Sequence, residues 1–115
     1  MVTGGAGYIG SHTVVALLEG GHDVAVLDNY ANSSADILKH VQEIAGKKCT
    51  AYETDVTDAS QLAALMVKIQ PHSVFHFAGR KSVEESVERP DFYHQQNIGG
   101  TRNLLSAMAK SGCNQ

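Results

Sequence analysis

Thr3-Gly4-Gly5-Ala6-Gly7-Tyr8-Ile9-Gly10 decides how this chain is read. Gly4, Gly7 and Gly10 recur at three-residue intervals directly after Val2-Thr3, where a first β-strand would turn into a first helix. Each glycine has its own task in such a turn. The first lets the chain leave the strand sharply. The second removes a side chain so that backbone N–H groups can approach a pyrophosphate, and the third lets the new helix pack close to the sheet. The helix then points its N-terminal N–H groups and positive dipole end at the phosphate. Glycines also punctuate ordinary turns, so context has to decide. Thr13 to Leu18 is apolar enough for a buried helix, and His22-Asp23-Val24-Ala25-Val26-Leu27 reads as a second strand ending in Asp28. An acid at that strand tip can accept from adenosine ribose hydroxyls, and its distance from Gly4 is close to the roughly 20 residues such a site needs. The combination predicts dinucleotide binding.

Outward from this unit, strand and helix alternate, which argues a parallel sheet with crossover helices. The first strand is short, Met1 to Thr3, where a central parallel strand has about 5–6 residues, and the N-terminus is expected to have lost part of it. A helix from about Tyr8 to Glu19 ends at Gly20-Gly21. The second strand is Asp23 to Leu27, and the loop Asn29 to Ser34 offers Ser33-Ser34 as N-caps. Ile37, Leu38, Val41 and Ile44 mark one face of a second helix closed by Gly46. A third strand, about Thr50 to Thr54, leads through Asp55-Val56 to a helix that starts near Asp58 with Gln61 as capping-box partner. That helix carries Leu62, Leu65, Met66 and Ile69, and Pro71 stops it. Ser73 to Phe77 is the fourth strand, Ala78 to Lys81 a loop, and Ser82 to Glu88 a short helix. A long helix then runs from Pro90 to just before Gly112, with Phe92, Ile98, Leu104, Leu105 and Met108. Gly99-Gly100 in its middle, each costing about 1 kcal/mol against alanine, predict a close approach by the sheet or a ligand. Right-handed crossovers give the strand order 3-2-1-4. The fold class is therefore α/β, a Rossmann-type doubly wound parallel sheet, truncated. Its fourth strand keeps an unpaired edge, as expected of a fragment.

Bulk composition narrows the partners. The 115 residues make one domain at most, and 43% hydrophobic with 18% charged residues is globular composition. A net charge of −3 gives no basic footprint for nucleic acid. No apolar run is long enough to span a membrane and no secretory signal pattern stands at the N-terminus. Cys49 and Cys113 lack Cys-x-x-Cys spacing and are read as inert thiols of a reducing, cytosolic compartment. The 6 histidines have no metal spacing, so no metal site is expected. His76 reads as a structural histidine, Glu84, Glu85, Glu88 and Arg89 as a solvated face, and Met66 and Met108 as core packing.

Four segments together resemble the UDP-glucose 4-epimerases, which are extended short-chain dehydrogenases/reductases. They are TGGAGYIGSH at Thr3 to His12, LDN at Leu27 to Asn29, HFAGRKSVEESVERP at His76 to Pro90, and QQNIGGT at Gln95 to Thr101. The first is shared by many sugar-nucleotide enzymes, whereas the third is more particular to the epimerases. The resemblance covers essentially the whole chain and implies a tightly held NAD. In that family the C4 hydroxyl of UDP-glucose or UDP-galactose gives a hydride to the nicotinamide. The 4-keto intermediate rotates, and the hydride returns to its opposite face. Carried over by position, Gly4, Gly7, Tyr8, Ile9 and Gly10 would face the pyrophosphate. Asp28 would hold the adenosine ribose, with Asn29, Tyr30, Ala31, Asn32 and Ser33 beside it. Asp55 and Val56 would border the adenine. Phe77, Ala78, Gly79, Arg80 and Lys81 would line the cofactor, and Asn97 would reach it from the long helix. Asp28 would repel a 2′-phosphate, favouring NAD over NADP. Two positions depart from the family: Glu84 stands where Gly is usual, and Gly99 where Asn is common.

The family's acid–base tyrosine belongs to a Tyr-x-x-x-Lys pair, in which the ammonium lowers the phenol's pKa. Here Tyr8, Tyr30, Tyr52 and Tyr93 are followed four residues on by His12, Ser34, Val56 and Asn97. The helper Ser/Thr after a fifth strand is also missing. The chain alone is therefore expected not to epimerise, and no catalytic residue is assigned. A UDP-sugar is the expected partner of the intact enzyme, and a homodimer is consistent with the family. Two other readings stand beside this one, a related NAD-dependent sugar-nucleotide dehydratase or decarboxylase and a non-catalytic NAD-sensing module.

Overall fold

The computed structural model describes residues 1–115 as two compact units, each with its own packing. The first comprises Met1–Thr54 and Val74–Phe77, the second Asp55–Ser73 and Ala78–Gln115.

The first unit holds the sheet. Strands β1 (Val2–Thr3), β2 (Ala25–Asp28), β3 (Thr50–Glu53) and β4 (Phe75–His76) are all parallel and lie in the order β3-β2-β1-β4. Val2 pairs with Val26 on one side and Phe75 on the other. This is the expected 3-2-1-4 order of an α/β Rossmann-like fold. Helix α1 (Tyr8–Glu19) packs on β1 and on α2 (Asp36–Ala45). Val14 and Leu18 join Val2, Val26, Leu38 and Val41 in one buried cluster. The second strand begins later than Asp23 because His22 and Asp23 are exposed; pairing starts at Ala25. Of the expected caps Ser33-Ser34, only Ser34 serves the start of α2, its hydroxyl oxygen accepting from the Asp36 N–H at 3.2 Å, while the Ser33 hydroxyl donates to Asp28 instead. Ile44 also leaves the apolar face, at 69% exposure. The turns at Gly4 (φ 68) and Gly46 (φ 64) take the left-handed backbone that favours glycine.

The second unit is helical: α3 (Ala59–Ile69), α4 (Val83–Glu88), α5 (Pro90–Tyr93), a π-helical stretch His94–Gly99, and α6 (Gly100–Ser111). Asp58 caps α3 as predicted, its Oδ1 accepting from the Ser60 and Gln61 N–H groups at 3.1 and 2.9 Å. α3 packs against α6, with Leu62, Met66, Leu104 and Ala107 buried. The long helix read from Pro90 onward thus contains a wide turn, and Ile98 and Leu105 on it are exposed. No helix is long and apolar enough to cross a membrane.

Candidate functional site

In the first unit, the glycine turn, the Asn29–Ser33 loop and Phe77 follow the C-terminal ends of the parallel strands β1, β2 and β4 and so lie at the same end of the sheet. Gly4 turns out of β1 with its N–H on Leu27 O at 2.7 Å, and Gly7 N donates back to Gly4 O at 3.1 Å. A Cβ on Gly10 would stand 2.1 Å from Gly4 O, so the third glycine seats α1 on the turn itself. The close approach to the sheet falls at Gly5, which the motif reading passed over: a Cβ there would meet Val26 Cγ1 at 2.6 Å. The Tyr8, Ile9 and Gly10 N–H groups open α1 with no helical carbonyl behind them. No side chain caps that end, no acid stands in its first turn, and Tyr8 and Ile9 are exposed. Such an end suits an anion.

Asp28 is 7% exposed and already holds its surroundings together. Its Oδ2 accepts from the Ala6 N–H at 2.9 Å, and its Oδ1 from the Tyr30 N–H and the Ser33 hydroxyl, both at 3.0 Å. These three bonds tie the glycine turn to the following loop and leave room for a further donor, since a carboxylate offers about four acceptor directions. They hold Tyr30 in a left-handed conformation (φ 53) uncommon outside glycine. Burial, then Asp28, pushes the Tyr30 phenol above its ordinary pKa. Asn29 Oδ1 accepts from the Ala31 N–H at 3.1 Å, and Asn32 lies in the same exposed bend. Phe77 continues the β4 pairing through its N–H on Thr3 O at 2.9 Å. His76 is the structural histidine the sequence suggests, sharing a 2.6 Å hydrogen bond between Nδ1 and Thr3 Oγ1.

In the second unit, the Ala78–Lys81 loop is gripped by Asn97, which sits in the π-helical stretch. Asn97 Oδ1 accepts from the Arg80 N–H at 2.8 Å while its Nδ2 donates to Arg80 O at 2.9 Å. The amide therefore matches the backbone as a neighbouring strand would, and a Cβ on Gly79 would stand 3.2 Å from its Oδ1. Lys81 is exposed, and the Arg80 guanidinium lies 5.2 Å from the Phe92 ring centre. Glu85 leaves the solvated face assigned to it. It accepts from the Tyr93 hydroxyl at 2.8 Å and Arg89 Nη1 at 3.3 Å, and Tyr93 in turn accepts from the Ser82 N–H. Glu84 stays exposed in the first turn of α4, where the helix dipole favours an acid. Asp55 Oδ1 accepts from the Thr57 N–H and hydroxyl at 2.8 and 2.7 Å. Val56 is buried, and a Cβ on Gly100 would stand 2.7 Å from its Cγ2, whereas one on Gly99 would meet only Gln95 Cγ at 3.9 Å. Of the two mid-helix glycines, only Gly100 answers a close approach. Asn103 donates to Val56 O and Thr57 O at 3.2 and 3.0 Å. No motif marked it, because a single Asn in an amphipathic helix carries no local signal.

A family model described as GDP-mannose 4,6 dehydratase matches residues 1–115. The chain is 49% identical over 112 residues to UDP-glucose 4-epimerase of Haemophilus influenzae, covering 97% of this chain and 33% of that protein. It is 48% identical over 116 residues to UDP-glucose 4-epimerase 2 of Arabidopsis thaliana, covering 98% and 33%. Among solved structures, UDP-glucose 4-epimerase of Stenotrophomonas maltophila with bound NAD and formylated UDP-arabinopyranose superposes at a TM-score of 0.95 and 42% identity, over 98% of this chain and 34% of that one. The Bifidobacterium longum enzyme in complex with NAD+ and UDP gives 0.94 and 42%, over 97% and 33%. The chain thus spans about a third of the length of the curated relatives it matches.

Proposed function

The chain belongs to the GDP-mannose 4,6 dehydratase family, and from that premise we propose that it is the NAD-binding part of a UDP-glucose 4-epimerase. The observation that carries this reading is the uncapped start of α1, reached through the Gly4–Gly10 turn and tied by the Ala6 N–H to Asp28. The bound relatives supply the cofactor's identity, NAD in both structures described above. In this reading the Tyr8, Ile9 and Gly10 N–H groups bind the pyrophosphate, with Gly4 and Gly7 keeping the approach clear. Asp28 accepts from the adenosine ribose, flanked by Asn29 to Ser33, and Asp55-Val56 border the adenine. Phe77 to Lys81 line the rest of the cofactor, with Asn97 holding that loop. When bound, the cofactor supplies a hydride acceptor for C4 of a UDP-sugar. The residues of this chain bind and orient it, exclude a 2′-phosphate through Asp28, and provide no Tyr-x-x-x-Lys proton shuttle.

The whole protein's work is then UDP-glucose/UDP-galactose interconversion in galactose metabolism, in the cytoplasm, as a homodimer. The free thiols Cys49 and Cys113 accord with that reducing compartment. The family description favours one alternative, a sugar-nucleotide dehydratase, which the product separates: a C4 epimer against a dehydrated keto sugar.

A thermal melt with NAD and with NADP tests the proposal. A ligand that binds only the folded state at a hundredfold excess over Kd stabilises it by about 2.7 kcal/mol. NAD is expected to raise the melting temperature and NADP not to, while the same sample turns over no UDP-galactose. A cooperative melt indifferent to both nucleotides overturns the NAD assignment, and measurable epimerisation overturns the expectation that this chain alone is inactive.

A further inference from the structure

Asp55-Val56-Thr57 carries the residues assigned to the adenine end, yet it has no regular structure of its own. It is fixed from α6. Gly100 and Asn103 stand three residues apart and therefore on one helix face. Gly100 leaves the socket that Val56 Cγ2 fills, and Asn103 Nδ2 bonds the carbonyls of Val56 and Thr57. The Val56–Thr57 peptide is held from both sides, because its carbonyl takes the Asn103 bond and its N–H reaches Asp55 Oδ1. A peptide unit is planar, so orienting one end orients the other. The Asp55 carboxylate is thereby aimed through Thr57, at a sequence distance of 48 from Asn103.

On the reading proposed above, we infer that Asn103 is a positioning residue for adenosine recognition, acting through the Asp55–Thr57 loop. It is separate in role from Asn97, which holds the Ala78–Lys81 loop through Arg80.

The test compares the native protein with Asn103→Leu, which keeps the size and removes the donor, and Asn103→Gln, which keeps an amide donor. AMP is the probe for the adenosine half and NAD for the whole cofactor. N103L is expected to weaken both by about tenfold, the order of effect of losing one or two such hydrogen bonds, and N103Q to recover part of it. Amide hydrogen exchange is read on the same proteins without ligand. Thr57 and Asp58 should exchange faster in N103L while the Arg80 N–H, bonded to Asn97, keeps its native rate. Unchanged AMP affinity in N103L, or acceleration at Arg80 as large as at Thr57, overturns the inference. If N103L does not fold, Asn103→Ser carries the same comparison. Native protein that binds neither AMP nor NAD would overturn the NAD reading instead, and the exchange pattern would still decide whether Asn103 holds the loop.

Discussion

Asp28 shows how much a single residue can carry. The sequence presents it as an acid at a strand tip, waiting for a ribose. In the fold it is buried and accepts from Ala6, Tyr30 and Ser33, so it ties the glycine turn to the loop that follows β2. Removing a buried acceptor costs the desolvation of the donors it leaves behind, typically about 1–3 kcal/mol. Asp28→Ala is therefore expected to destabilise the protein by on the order of 2 kcal/mol and to abolish the NAD-dependent rise in melting temperature. Urea denaturation gives the first quantity. A midpoint within error of the native protein's would mean that Asp28 does not hold the turn and loop together.

At the scale of elements, the glycines of the long helix separate local cost from tertiary need. Gly99 and Gly100 both have helical backbone angles, φ −59 and −58. Intrinsic propensity alone would make either one better as alanine by about 1 kcal/mol. A Cβ at position 99 meets Gln95 Cγ at 3.9 Å, an ordinary contact, whereas one at position 100 comes within 2.7 Å of buried Val56. Overpacking of that kind costs about 1–3 kcal/mol. Gly99→Ala should raise the melting temperature and Gly100→Ala lower it. Equal shifts in the same direction would contradict the socket. The two glycines look identical in the sequence because the helix pattern records periodicity, not what lies opposite.

For the whole molecule, His76 links stability to pH. Burial holds its imidazole below the ordinary value of about 6.5, which favours the neutral ring bonded to Thr3. The unfolded chain binds the proton first as pH falls through about 6.5, so stability from this group is complete above that pH and declines below it. Melts between pH 8 and 5 should show the native protein losing stability below about 6.5, with a shallower loss in His76→Asn. Parallel pH profiles would show that His76 does not contribute to the slope.

The sequence by itself determined the alternation of strands and helices, the strand order, the glycine turn after the first strand and the family. The elements, their order and the turn rest on regularities of period, capping residues, glycine spacing and crossover handedness, whereas the family rests on the resemblance of four segments between Thr3 and Thr101. Helix α1 and the Asp58 cap were legible in this way, as was the left-handed Gly46 turn. Only the tertiary structure decided that Ser33 serves Asp28 instead of capping α2, that Gly5 and Gly100 make way for Val26 and Val56, and that Glu85 binds Tyr93. It alone paired Asn97 with Arg80 and Asn103 with Val56, 17 and 47 residues apart. Hydrogen-bonding side chains take whatever partner the fold brings within about 3 Å. No local pattern encodes that partner, since packing chooses it after the elements have formed.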